Sequence, residues 1–369
     1  MPRILSGQQG RTLPGHGGAT AFSGLPTERS LIDGRFDWTM VFLSAWFVAG
    51  VFLDGWAHNH VPELESFFTP WHAVFYSGYA AVSGFLLTAL LRHRRHGFGW
   101  RQALPAGYEL SLYGVGIFLI GGIGDMVWHE LFGIEVDVEA LVSPTHLILA
   151  VGGSLLMGGP FFAAWQRSDI RSPTLGWKDG LPVVLSLTFV LSAWTFMTQF
   201  AHPLVDPWAA IGFRAPASSR HVTYLRQASG IASILLQTGL SMALVLLAAL
   251  RWRLPFGSLS VMFGLNALLM SFMHDQYRFI PGATVAGLGA DFLLRWLRPS
   301  AVRPTALRLF ACGVPIVFYG VYFATLLVTS GIEWRVHLAA GSVVLAGIVG
   351  WLLSYLIVPP FQRPGREVS

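Results

Sequence analysis

The feature that most restricts this chain is a series of apolar stretches, each about as long as a helix must be to cross a bilayer's hydrocarbon core, roughly 17 to 25 residues. They run over 38–58, 70–91, 106–129, 144–165, 181–202, 227–250, 256–275, 281–297, 305–330 and 336–358. Lipid offers no partner to backbone N–H and C=O groups, so a spanning segment must be a helix or part of a closed barrel. Continuous rather than alternating apolar runs select the helix. The expected fold is therefore all-α, a polytopic integral membrane bundle of about ten transmembrane helices. Charged residues make up only 12% of the chain, which leaves the lipid bilayer as its main surroundings. The eighth stretch is short and carries Asp291 and Arg295, four residues apart and so expected to neutralise each other.

Cytoplasmic loops carry the excess of Lys and Arg. With the N-terminus inside, all but five of the 24 basic residues fall on the cytoplasmic side, the exceptions being Arg214, Arg220, Arg226, Arg278 and Arg335. Both termini are thus expected in the cytoplasm of a bacterial plasma membrane. Residues 1–35 and 359–369 are read as polar cytoplasmic tails, and 36–358 as the bundle. The net charge of +5 is explained by this asymmetry and by anionic lipid, and no basic stripe with stacking aromatics points to nucleic acid. Cys312 is the single cysteine, so metal chemistry here must rest on imidazole and carboxylate rather than on a thiolate cluster.

The histidines are spaced regularly. His58, His129, His202 and His274 close successive odd-numbered stretches at separations of 71, 73 and 72 residues, the mark of a repeated helical hairpin. The units are read as about 36–104, 105–179, 180–253, 254–303 and 304–358. The first two match in detail. "DGWAH" (Asp54 to His58) parallels "DMVWH" (Asp125 to His129), and "ESFFTPWH" (Glu65 to His72) parallels "EALVSPTH" (Glu139 to His146). Asp and His four apart share one helix face. Thr69-Pro70 and Ser143-Pro144 read as an N-cap followed by proline at the first helical position, which starts the returning helix just before its histidine. One carboxylate and two imidazoles would then converge, twice. Such a set suits Cu, Zn or Fe(II), with copper favoured by the Irving–Williams order. Glu65 and Glu139 are candidates to hold an imidazole tautomer from behind. Glu130, Glu135 and Asp137 are read as an acidic vestibule, and His60 as a solvated loop residue. His202, Asp206, His221 and His274 form a possible additional metal set, and Met270 and Met273 beside His274 a possible soft one.

The segment from Asp54 through "FTPWHAVFYSG" resembles the ligand segment of the C subunit of copper-containing membrane monooxygenases, the particulate methane and ammonia monooxygenases. The resemblance covers residues 38–165. It implies copper held near the membrane surface by Asp54, His58 and His72. A later Asn-x3-His element of that family is similar to Asp125, His129, Pro144 and His146, with Asp in place of Asn. It implies dioxygen chemistry on a small apolar or nitrogenous substrate, partner membrane subunits and an external electron donor. Three departures are visible: His146 follows His129 by 17 positions whereas His72 follows His58 by 14, ten stretches exceed the number of spans expected of that subunit, and nothing resembles the cupredoxin-like domains of the partner subunit. The residues by themselves leave open non-catalytic copper acquisition, storage or transfer, a haem-b membrane protein, and a membrane zinc hydrolase.

Overall fold

A computed structural model describes residues 34–61, 68–133, 135, 137–167, 174–214 and 219–360. Most of both expected tails, and Glu65, lie outside the described residues. Among the described residues every regular element is helical. In chain order these are α1 (Gly34–His60), α2 (Pro70–Arg95), α3 (Tyr108–Phe132), α4 (Asp137–Val142), α5 (Pro144–Met157), α6 (Gly159–Arg167), α7 (Trp177–Met197), α8 (Arg220–Arg251), α9 (Ser258–His274), α10 (Phe279–Leu297), α11 (Pro304–Thr329) and α12 (Val336–Ile357).

Seven of these helices are long and apolar enough to cross a membrane, and eight if α5 and α6 form one bent span. The expected stretch 144–165 is broken at Gly158, where the two axes differ by 47°. Gly158, Gly159 and Pro160 explain the break, because proline removes a helical donor and clashes with the preceding turn. α9, with 17 residues, and α10, which contains Asp291 and Arg295, fall outside the set of long apolar helices.

The expected Asp291–Arg295 pair does not form. The Asp291 carboxylate, 1% exposed, instead accepts hydrogen bonds from the Leu259 and Ser260 amides, both at 3.0 Å, and from Ser260 Oγ at 2.7 Å. α9 starts after Gly257, which has no side chain to cap it, so a carboxylate from α10 satisfies the free amides and the positive end of the helix.

Helices α1 and α2, α3 and α5, α9 and α10, and α11 and α12 pack as pairs. The expected third hairpin does not close in the same way, because α7 lies mainly against α9, α1 and α5, and α8 mainly against α12. The long segment between α7 and α8 gives α8 the reach to do so.

The first two pairs share a register set by glycine. A Cβ on Gly78 of α2 would come 2.6 Å from the Phe47 Cα of α1, and one on Gly50 of α1 would come 2.6 Å from the Phe75 Cα of α2. In the second pair, Gly152 of α5 would meet the Phe118 amide nitrogen of α3 at 2.6 Å, and Gly114 the Leu156 amide nitrogen at 2.5 Å. Gly78 lies six residues after His72, and Gly152 six after His146; Phe47 and Phe118 each lie seven before the aspartate. Backbones this close are what small residues permit between membrane helices, and they fix how far each Asp-x3-His face stands from its returning histidine. At the other end of α1, Asp37 accepts from Tyr108 Oη of α3 at 2.7 Å and pairs with Arg167 of α6, which ties the two hairpins together.

Candidate metal centre

Each centre is built from the end of one helix and the start of the next. In α1, Asp54 and His58 lie one turn apart, with Asp54 Oδ2 3.7 Å from His58 Nε2. In α2, Thr69 is the N-cap with extended backbone (φ −101°, ψ 157°), its Oγ1 accepts from the His72 amide, and Pro70 follows. That cap turns His72 back towards α1, so that its Nδ1 stands 3.6 Å from Asp54 Oδ1. The second centre repeats the arrangement. Asp125 Oδ2 is 3.5 Å from His129 Nε2 and Asp125 Oδ1 is 3.1 Å from His146 Nε2, with Ser143 as the N-cap and Pro144 first in α5.

In both groups one donor atom from each residue lies within 4.8 Å of the other two, and among the described residues only these two groups bring three such donors together. Two ligands of one ion, each bound at about 2.1 Å, stand at most about 4.2 Å apart. All four carboxylate–imidazole distances are already below that limit.

The donor chemistry fits a cation. His146 Nδ1 meets the Ala140 carbonyl and His129 Nδ1 meets the Gly133 carbonyl at 3.3 Å. A carbonyl only accepts, so each Nδ1 carries the proton. Both Nε2 atoms then face the Asp125 carboxylate, an arrangement that a positive charge between them, a proton or a metal ion, stabilises. Metal-bound histidines are usually held in this way from behind. Thr145 Oγ1 donates to Asp125 Oδ1 at 2.9 Å and fixes the carboxylate. In the first centre Asp54 Oδ1 is buried and has no hydrogen-bond partner, a costly condition that an ion would relieve.

The two centres differ in access. The side chains of Asp125 and His129 are 2% and 10% exposed, whereas His58 is 42% exposed. They also share one electrostatic field: Asp125 and His146 act on Asp54, and Asp125, His129 and His146 act on His72. Tyr76 stands between them. Its ring stacks on His72 with centroids 6.2 Å apart, and its hydroxyl is 3.2 Å from where a Cβ of Gly122 on α3 would be. Sequence reasoning passed over Tyr76, although its place one turn after His72 on α2 is the signal that puts both rings on one face.

Several expected partners are placed elsewhere. Glu139 is exposed on α4, and the next residue's carbonyl, that of Ala140, takes the position behind His146. Glu135 is the acid drawn into the site rather than left in a vestibule: Trp128 Nε1 donates to its Oε1 at 2.5 Å, its Oε2 is buried without a partner, and its charge acts on His146. His60 is no free loop residue, since it closes α1 and pairs with Asp275 at 2.7 Å.

The additional metal set is not assembled. His202 Nδ1 accepts from the Leu204 amide at 3.2 Å, Asp206 faces Arg214 at 3.7 Å, His221 is exposed in the first turn of α8, and His274 Nε2 meets Gln199 Oε1 at 2.7 Å. Met270 and Met273 are fully buried core residues. His202 lines a small cavity of about 40 Å³ with Gln237, Asn266 and Tyr319. Burial pushes its pKa down to about 3, from about 6.5 in an unfolded chain. Between those values the unfolded state binds one more proton, so stability falls as the pH is lowered, by at most about 1.4 kcal/mol per unit. His202→Gln should therefore flatten the decline in unfolding temperature between pH 7 and pH 5; equal declines in the two proteins would contradict this.

Compared with known protein families, curated proteins and solved structures, the chain matches none.

Proposed function

We propose that this is a copper-binding integral membrane protein, with one ion held by Asp54, His58 and His72 and a second by Asp125, His129 and His146. The observation that carries the reading is the double one at equivalent places in two hairpins: three convergent donors, with the imidazoles of the second centre held from behind so that their Nε2 atoms face a carboxylate. Copper is preferred among the metals such donors suit because of its place in the Irving–Williams order. A ten-span bundle of repeated hairpins goes with this reading, counting α5–α6 as one span and including α9 and α10. Its termini are cytoplasmic, and the centres lie on the outer face.

As in the copper membrane monooxygenase C subunit that residues 38–165 resemble, the activity proposed is oxidation of a small apolar or nitrogenous substrate with dioxygen, with electrons from a partner. Copper, when bound, supplies the one-electron chemistry that dioxygen requires. The chain's own residues hold and shield it. Thr69 and Ser143 aim the returning histidines, Asp54 and Asp125 balance charge, and Phe75 and Tyr76, which pack against His72, together with Phe118, which packs against both of them, keep bulk water from the inner side.

The exposure of His58 favours a second reading, copper acquisition, storage or transfer, because a ligand open to solvent lets an ion exchange. Oxygen uptake by copper-loaded protein in lipid nanodiscs, given a reductant and small hydrocarbons or amines, separates the two. Substrate-dependent uptake that disappears in His72→Ala supports oxidation. Absence of uptake, with copper passing readily to a chelator, supports transfer. Zinc alone or a haem spectrum in the purified protein would contradict both.

A further inference from the structure

The start of α11 and the end of α12 line an open groove of about 690 Å³, within the range of small-molecule sites. Its one charged lining residue is Arg308, 7% exposed. The guanidinium donates to the Ser354 carbonyl and, at 2.5 Å, to the Val358 carbonyl, and lies 3.9 Å from the centre of the Tyr355 ring. These contacts satisfy two of its five N–H groups and cap the end of α12, but they supply no opposite charge. Among the described residues no carboxylate pairs with Arg308. A buried cation without a counter-charge is expensive, and more so beside lipid. Along the rest of the groove Leu309 (56%), Ile348 (41%) and Trp351 (40%) are exposed apolar surface.

We propose that this groove binds one anionic phospholipid, its phosphate at Arg308 and an acyl chain along Leu309, Ile348 and Trp351. Charge complementarity selects the headgroup and the exposed apolar wall selects a lipid over a soluble anion. On the orientation argued from the basic residues, this end of the bundle faces the cytoplasmic leaflet, where anionic lipid attracts basic side chains. The site is independent of the metal centres and stands whether or not they bind copper.

Native mass spectrometry of the delipidated full-length protein, titrated with phosphatidylglycerol and with phosphatidylcholine of the same chains, tests it. The expected result is one phosphatidylglycerol retained about fivefold more tightly than phosphatidylcholine, with the preference lost in Arg308→Gln. Because Arg308 also caps α12, Ile348→Trp serves as a second variant. It fills the groove and leaves Arg308 in place, and it should lower phosphatidylglycerol binding without lowering the unfolding temperature. Equal retention of the two lipids, or a preference unchanged in both variants, would overturn the proposal. So would competition by glycerol phosphate at the same concentration, which would make the site one for soluble anions. A rise in lipid binding in Glu367→Gln would mean that the chain's own tail fills the groove, and would overturn it as well.

Discussion

Asp54→Ala is expected to lower the copper content from about two ions per chain to about one, with the remaining ion held by Asp125, His129 and His146. The loss should be far larger than that seen when a residue behind a ligand is changed, which weakens metal binding about 10- to 100-fold. Asp54 is the element common to both imidazoles of its centre, 3.7 Å from one and 3.6 Å from the other. Without it, two neutral rings from different helices have no anion to balance a cation, although alanine itself is well tolerated in a helix. The fold should therefore survive, because the carboxylate makes no hydrogen bond through Oδ1 to lose. Metal analysis and electron paramagnetic resonance on the wild type and on Asp54→Ala check this. An unchanged copper count, or a fall to zero with an intact fold, would contradict independent centres.

The second large effect is expected from Gly78→Val. A Cβ at this position would lie 2.6 Å from the Phe47 Cα and 2.8 Å from its amide nitrogen, so it meets backbone, and no rotamer change can relieve the contact. The helices must move apart. Overpacking of this kind costs typically 1–3 kcal/mol, and this site should fall at the upper end, about 3 kcal/mol. Because the same contact fixes the distance between Asp54 and His72, separation of α1 from α2 should also weaken the first centre while leaving the second intact. Gly84→Val is the control on the same helix, since nothing lies within 4 Å of a Cβ there. A drop in unfolding temperature and in copper content for Gly78→Val but not for Gly84→Val is the expected pattern. Equal behaviour of the two variants would show that the close approach does not set the site.

What could be read from the sequence follows a physical division. The convergence of Asp54, His58 and His72 rests on local rules, a four-residue helical spacing and an N-cap followed by proline, and local rules act through neighbours in the chain. Apolar length likewise made the helical bundle legible. The features that escaped depend on distant partners or on the exact path of a short turn. Asp291 and Arg295 read as a pair because they are four apart, whereas the actual partners of Asp291 are the amides of Leu259 and Ser260, 32 and 31 residues away. Chemical type points to Glu139 as the group behind His146, but the turn through α4 brings the neighbouring carbonyl of Ala140 there instead. The spacing of His202 and His274 suggested two further ligands, but spacing cannot report that α7 and α8 part company and that each ring is engaged by another group. The separation of α5 from α6 was marked by Gly-Gly-Pro inside an apolar run, a signal that a count of hydrophobic residues overlooks.

X-ray absorption at the copper edge on the loaded wild-type protein tests most directly whether a carboxylate and two imidazoles grip each ion. The expected result is a nearest shell of nitrogen and oxygen scatterers only, at about 2.0 Å, with the outer-shell pattern of two imidazole rings per copper. A sulfur scatterer at about 2.3 Å, or a first shell without imidazole, would contradict it.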